Sequence, residues 1–501
     1  MAARVTVEIA PDAATGEGAL IIWRVSCLGN AIMNRAPMPD ELLALSPLDG
    51  RYASETEPLQ KFFSEFAVIR GRVEVEIAYL LALSKDTGII RPLTSGETEL
   101  LQSLANRFSV DDARENKDFE RVTRHDVKAV ESFLRARLAP TSLADLIEYL
   151  HFGLTSEDVN NIVQAIALKD SREQVILPAI DKLIELLEEM AGDYKAVPML
   201  ARTHGQPAVP TTFGKEVAVF LTRLKKQRGT LARHHFEAKL TGAAGNFNAL
   251  QAAVPEVDWP AFSERFVRSL NLEPTAVTTQ ILPYDNWIEY FNTLLLINSI
   301  LVGLAQDTWQ YSSTGYLRLK AKPSEVGSST MPQKVNPIDF ENAEGNLGLA
   351  NALLEHYARK LPISRLQRDL SDSTVRRTFG AALGHSLVAY ISMRRGLALV
   401  EVDQEAMRHD LEAHWEVVAE GAQTILRASG LKNPYELLKD LTRGRGLTQD
   451  DYNRWIDKLD ADEAVKNRLR RLSPLTYTGL AEEIVERALP NPTPLRGQAD
   501  T

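Results

Sequence analysis

Cysteine is almost absent from this chain of 501 residues: Cys27 is the only one. Internal disulfides, thiolate zinc sites and cysteine-ligated iron–sulfur clusters are excluded, and a reducing compartment fits. Long hydrophobic runs are lacking too. The best candidate, Leu294–Ala305, falls short of the roughly 18 residues a membrane span needs and contains Asn298 and Ser299. The N-terminus makes a poor signal peptide, because Glu8, Asp12 and Glu17 precede the brief apolar stretch Ala19–Trp23 and Arg24 ends it. A cytoplasmic protein with no membrane partner is therefore expected. Basic residues are outnumbered 57 to 67, a net charge of −10. That argues against a nucleic-acid polymer as partner but permits a local basic cluster that holds a small anion. Walker, GxGxxG, HExxH and GxSxG motifs are all missing. Nucleotide hydrolysis, dinucleotide redox chemistry, zinc proteolysis and α/β-hydrolase chemistry thus lack their usual signatures. No tandem repeat or low-complexity tract is present either.

What is there is helical periodicity. Ile180, Leu183, Ile184, Leu187, Met190, Ala191 and Tyr194 recur at the spacing of one helix face, entered near Pro178 and left before Pro198. Phe213, Val217, Phe220, Leu221, Leu224 and Leu231 form a second stripe between about Thr212 and Leu240, and Asp285 to Ser313 contains no proline. Helices this long, with few alternating segments, predict an all-α fold: three helical domains around a long central bundle. The expected divisions are 38–144, 145–397 and 398–501. Residues 1–37 read as a disordered extension, because Val5–Ile9 alternates like a strand with nothing to pair with, and Met38 is a candidate initiator.

Against this background four segments look chemical. Ser46-Pro-Leu-Asp-Gly-Arg51-Tyr52 is rich in turn residues and ends in a cation and a phenol, though a surface turn capping the next helix would read the same. Thr123-Arg124-His125-Asp126-Val-Lys128 reads as a helix start, with Thr123 as N-cap and Asp126 as the acid three residues on, or as a site with a titratable histidine. Thr155-Ser156-Glu157-Asp158 is likewise a good capping sequence. In Arg202-Thr203-His204-Gly205-Gln206-Pro207 the glycine and proline interrupt any helix. An irregular loop there would present an imidazole suited to proton transfer near neutral pH. Gly327-Ser328-Ser329-Thr330-Met331-Pro332-Gln333-Lys334-Val335-Asn336-Pro337 combines hydroxyls, backbone N–H groups, a cation and an amide. Such a loop can close over an anionic substrate and exclude water. Farther on, Arg365, Arg368, Arg376 and Arg377 alternate with Ser371, Ser373 and Thr374. This suits carboxylate or phosphate recognition, or else a solvated face paired with Asp369 and Asp372.

Gly327–Pro337 resembles the signature loop of the fumarase/aspartase superfamily. Ser46–Tyr52, the run from His125 to Glu131, Arg202–Pro207 and the run from Asp339 to Asn346 narrow the resemblance to the bacterial-type adenylosuccinate lyase family, over about residues 40–490. The resemblance implies a homotetramer whose active sites are each shared between subunits, with no metal and no organic cofactor. It implies elimination of fumarate from an anionic purine nucleotide that carries a succinyl group. Ser328 corresponds to the base, a choice over Ser329 that the residues alone do not make, and His204 to the acid. His125 matches a second substrate-binding histidine beside Arg124 and Asp126. Arg51, Tyr52, Thr155, Ser156, Gln280, Arg368, Ser373 and Arg377 are placed around the nucleotide and succinyl groups, and Lys334 and Asn336 at the developing charge. Gln333 replaces a common histidine, and Arg124 stands where asparagine or a small polar residue is expected; both bear on substrate preference. The competing readings are a sister lyase acting on argininosuccinate or aspartate, and a catalytically silent helical scaffold.

Overall fold

The computed structural model describes residues 3–11, 19–27, 41–320, 331, 334–442 and 446–489. It divides into two units, Met1–Ala53 and the chain from Ser54 onward. In the first, strand β1 (Ala3–Pro11) pairs antiparallel with β2 (Ala19–Cys27), with Val5 opposite Val25 and Ile9 opposite Ile21. The strand at Val5–Ile9 therefore does have a partner, the β-branched stretch that follows the Gly- and Asp-containing segment 12–18; residues 28–37 lie outside the described residues. The segment from Ser46 to Tyr52 is a turn, with the Tyr52 N–H donating to the Pro47 carbonyl at 2.8 Å.

The second unit begins with helices α1 (Ala53–Phe63), α2 (Glu65–Asp86), α3 (Ser95–Asn106), α4 (Val110–Thr123) and α5 (Asp126–Leu138). They share one continuous core with the helices that follow. Tyr79 of α2, for example, packs edge-on against Phe262 and Phe266. Next come α6 (Ser156–Ser171), a π-helical turn at Arg172–Ile176, and α7 (Leu177–Asp193). The predicted stripe of α7 is buried from Ile180 to Ala191.

Strands β3 (Pro198–Thr203) and β4 (Gln206–Thr212) form an antiparallel hairpin that leads into α8 (Phe213–Ala232). Helix α8 stops short of the expected Leu240 because the chain turns at Arg233 into β5 (Glu237–Ala238). Short helices α9 (Asn248–Ala253) and α10 (Trp259–Ser269) follow, and β6 (Glu273–Pro274) lies parallel to β5. Helix α11 (Asp285–Ser313) matches its predicted span, about 43 Å long at 1.5 Å per residue. After β7 (Leu317–Leu319), α12 (Ile338–Lys360), α13 (Ser371–Arg376) and α14 (Phe379–Leu397) complete the bundle, in which α12 packs on α11 and α14, and α8 on α7 and α11. The chain has few strands, all in two-stranded pairs among the described residues, and the architecture is all-α.

Among the described residues α11 is the one helix long and apolar enough to cross a bilayer by length and composition, which amends the expectation that no run reaches that length. Its polar interruption explains where it belongs: Asn298 is fully buried, donates to Ser386 Oγ at 3.1 Å and accepts from the Tyr390 hydroxyl at 2.6 Å. Helix α11 is a core helix held in register by a satisfied polar network.

Past β8 (Val400–Val402), helices α15 (Gln404–Glu412), α16 (Ala419–Ala428), α17 (Pro434–Thr442), α18 (Gln449–Lys458) and α19 (Glu463–Arg470) gather around a second core. That core contains Leu411, Val418, Leu426, Tyr452, Ile456 and Leu469, and also Leu200 of β3. Helix α20 (Ala481–Ala488) returns to pack on α8.

Candidate active site

The N-termini of α5 and α6 supply one half of the candidate site. Thr123 is not the N-cap expected from its residue type. It ends α4, and Arg124 follows in the left-handed conformation (φ 52°) as that helix's C-cap. The N-cap of α5 is His125, whose Nδ1 accepts from the Lys128 N–H at 3.1 Å. An accepting Nδ1 carries no proton, so the neutral ring bears its hydrogen on Nε2, which faces Ser156 Oγ at 3.4 Å. Asp126 accepts from Arg72 at 2.6 Å and from its neighbour's Val127 N–H at 2.9 Å. Burial alone would raise its carboxyl, but the charge of Arg72, these hydrogen bonds and Arg377 outweigh it and hold Asp126 below the usual range.

Arg377 touches Asp126 at only 3.4 Å and Glu65 at 3.8 Å, and its side chain is 54% exposed. With Asp126 already paired to Arg72, this guanidinium is free to take an incoming anion. Arg368 contacts Glu157 at 3.2 Å and donates to Gln280 Oε1 at 3.2 Å, while Gln280 Nε2 donates to the Ala243 carbonyl. Its Nε is buried without a partner. Ser373 is half-buried on α13, next to Asp372. His125, Asp126, Ser156, Gln280, Arg368 and Arg377 thus lie on one wall, with Thr155 at the start of α6.

Two buried ion-pair clusters, invisible to local sequence reasoning, hold this wall. The Thr155 N–H donates to Asp158 Oδ2 at 2.9 Å, as the capping sequence predicts. The same carboxylate also receives Lys239 Nζ at 2.9 Å and the Thr241 N–H at 3.0 Å, with both Lys239 and Asp158 fully buried. Behind Arg368, Arg376 is buried against Glu157 and Asp372, each at 2.9 Å, and the Tyr284 hydroxyl donates to both carboxylates. Arg376 is therefore a strut and no ligand-facing cation, and Asp369 pairs with the backbone N–H groups of Arg365 and Ser371 rather than with an arginine. A further histidine escaped the sequence reading. His151, four residues before Thr155, holds Glu76 through Nδ1 at 2.6 Å. Burial lowers its proton affinity, yet the hydrogen bond and charge of Glu76 prevail, and its pKa is raised.

The other candidates sit on other segments of the chain. His204 does not sit on an irregular loop. It and Gly205 are the two turn residues of the β3–β4 hairpin, with Thr203 opposite Gln206 and both φ angles positive, 53° and 73°. Such a pair closes the tight hairpin turn whose twist matches the strands, and the exposed tip carries the imidazole outward. Lys334 is exposed and Asn336 half-buried, just ahead of α12, whose N-terminal dipole favours negative charge. Among the described residues no hydrogen bond or ion pair links His204 or Lys334 to the wall of Arg377. Ser328, Ser329 and Gln333 lie outside the described residues, and Arg51 and Tyr52 belong to the first unit. Among the described residues no His, Cys, Asp and Glu cluster has the make-up of a metal site.

The profile of the Lyase family matches residues 50–351, well over half of the chain. Two solved structures share the fold: a fumarate lyase from Mesorhizobium sp. BNC1 (TM-score 0.69, 19% identity, covering 86% of this chain and 97% of that one) and the 3-carboxy-cis,cis-muconate lactonizing enzyme of Pseudomonas putida (0.68, 21%, 86% and 95%). The class is thus a lyase of the fumarase/aspartase superfamily. A second profile, that of the adenylosuccinate lyase C-terminal region, matches residues 364–478. The adenylosuccinate lyase of Haemophilus influenzae is 46% identical over 449 residues, spanning 89% of this chain and 98% of that protein. Those of Escherichia coli (44%, 89% and 98%) and Dictyostelium discoideum (44%, 88% and 97%) are similar. The chain belongs to the adenylosuccinate lyase family.

Proposed function

We propose that this protein is an adenylosuccinate lyase of purine biosynthesis, releasing fumarate from adenylosuccinate to give AMP and from the succinylcarboxamide ribotide (SAICAR) to give AICAR. The observation that carries this reading is the near-complete match to proteins of that name, 44–46% identical over 97–98% of their lengths. The exposed Arg377 and the helix N-termini of α5 and α6 fit the substrate's anionic groups. The protein works in the cytoplasm.

In this mechanism Ser328 removes a proton from the succinyl carbon beside a carboxylate. The electron pair forms the new double bond as the neighbouring carbon–nitrogen bond breaks, and His204 supplies the proton to the departing nitrogen. The costly species is the carbanion, whose charge spreads into that carboxylate. Lys334, Asn336 and the start of α12 have the chemistry to stabilise it, and fixed donors of this kind contribute most of such rate gains. A hydroxyl acts as base only when strongly activated. That no described hydrogen bond or ion pair joins His204 or Lys334 to the Arg377 wall fits a homotetramer in which each site draws residues from several subunits. Exposed Leu296 and Trp309 on α11 and Leu349 on α12 offer the apolar surface for it.

Purified protein supplied with adenylosuccinate should release AMP and fumarate without added metal. Turnover of argininosuccinate or aspartate in preference to adenylosuccinate would refute the substrate assignment. Mixing the inactive His204→Ala and Ser328→Ala variants should restore activity that neither shows alone; no recovery on mixing would count against shared sites.

A further inference from the structure

The hairpin that carries His204 is poorly held by its own ladder. Pro198 faces Thr212, Leu200 faces Pro210 and Arg202 faces Pro207, and the register shifts between Leu200 and Arg202. Each proline lacks an N–H donor, so at these positions, Pro207 next to the turn among them, the ladder can use only a carbonyl. Its successive side chains are instead anchored outward on opposite faces: Met199 enters the main core and Leu200 the second, C-terminal core. Above Leu200 the next anchor is polar. Arg202, two residues before His204, donates to Asp410 Oδ2 of α15 at 2.5 Å. The Tyr316 hydroxyl donates to the same oxygen, and His414 Nε2 faces Asp410 Oδ1 at 3.5 Å while its Nδ1 holds Glu416 at 2.7 Å. One carboxylate thus gathers two donors, Arg202 and Tyr316, from separate parts of the chain, with the His414 ring beside it.

We infer that Asp410 is a positioning residue for the reaction: through Arg202 it fixes the tip of the β3–β4 hairpin, and with it the direction in which His204 delivers its proton. The inference rests on the reading of His204 as the acid. Asp410 does not touch the substrate in this account. Its pair with Arg202 is partly open to solvent, and ion pairs of that kind contribute little to stability. Proton delivery is far more demanding, since a misplacement near 1 Å can cost roughly 100-fold in rate. The clamp should therefore be felt in turnover and hardly at all in folding. It also gives the C-terminal helical cluster a task in catalysis, as the mount against which the acid is aimed.

The test uses full-length enzyme and steady-state kinetics on adenylosuccinate. Asp410→Asn keeps the volume and removes the charge; it should lower kcat roughly 10- to 100-fold with KM and Tm nearly unchanged. Asp410→Glu should recover part of the loss, and Tyr316→Phe, which removes one donor, should give a smaller fall of the same kind. In a His204→Ala background Asp410→Asn should cost nothing more. Wild-type kcat in Asp410→Asn, or the same proportional fall with and without His204, overturns the inference. Should Asp410→Asn fail to fold, the pair of Tyr316→Phe measurements with and without His204 decides the matter by the same criterion. Failure of the underlying reading looks different: His204→Ala alone would then keep its activity, whatever Asp410 does.

Discussion

The two halves of the candidate site are built in opposite ways. In the wall, His125 and Ser156 stand at helix N-termini and Arg377 at the C-terminal end of α13, all beside buried charges, Lys239 with Asp158 and Arg376 with Glu157 and Asp372. The His204 half is an exposed hairpin tip, short of ladder donors and tethered from outside by Asp410. A wall that must recognise a fixed anion gains from being set before substrate arrives, because binding then orders little. A group that transfers a proton must instead reach out to the reacting atoms. Damage to the wall should therefore show in stability and KM, and damage to the hairpin in kcat.

The largest effect is expected at the hairpin and its opposing base. His204→Ala and Ser328→Ala should each lower kcat by roughly 10²- to 10⁴-fold, the usual weight of a general acid or base, with thermal melting unmoved. A melting loss as large as the kinetic one would erase the distinction. Next comes the wall's foundation. Lys239→Met leaves Asp158 buried and unpaired, and removing one partner of such a pair costs about 3–5 kcal/mol of stability, readable by denaturant titration. Little change in the midpoint would show that the pair is dispensable.

A smaller effect belongs to the exposed cation proposed to meet the substrate. Arg377→Met should raise KM with kcat and stability largely kept, at about 1.5–3 kcal/mol for a lost charged hydrogen bond. A pure kcat effect would move Arg377 out of the binding role.

The smallest expected effects are two opposite pH dependences of stability. His151 has a raised pKa through Glu76, so its stabilisation is fully present below the unfolded value near 6.5 and is lost as pH rises through the folded value. His234 is pushed down to about 4 by burial and by Arg172, so the unfolded chain binds the proton more readily. Stability is then lost as pH falls from about 6.5 toward 4. His151→Gln should flatten the alkaline side of the stability profile and His234→Phe the acidic side. Unchanged profiles would remove these two groups from the account.

How far the residues spoke for themselves differs between the halves. Helix α11 is legible end to end as a long stretch without proline, and α7 by its buried stripe, because a 3.6-residue period survives wherever one face is buried. The hairpin is not. Three prolines in Pro198–Pro210 read as loop punctuation, and only the pairing of β3 with β4 shows that a two-stranded ribbon tolerates them. Residue type predicts Thr123 as the N-cap, while the structure gives that position to His125, since α4 runs on to Thr123 and Arg124 takes the left-handed turn between the helices. The candidate residues stand out through a resemblance in short motifs; of their supports, Glu157, Asp158, Asp372 and Arg376 are visible only as capping or surface residues, and Lys239 and Tyr284 not at all.

Local spacing and contiguous motifs carry the helical class, the long bundle helices and the family, and they name the residues proposed to meet the substrate. Only the tertiary structure decided which charges are foundations and which are free. Arg376 and Arg377 are neighbours in the chain, yet one is buried against Glu157, 219 residues away, and the other faces solvent. Arg202 meets Asp410 across 208 residues. Burial and long-range pairing are properties of the packed chain, and no local pattern of residue types encodes them.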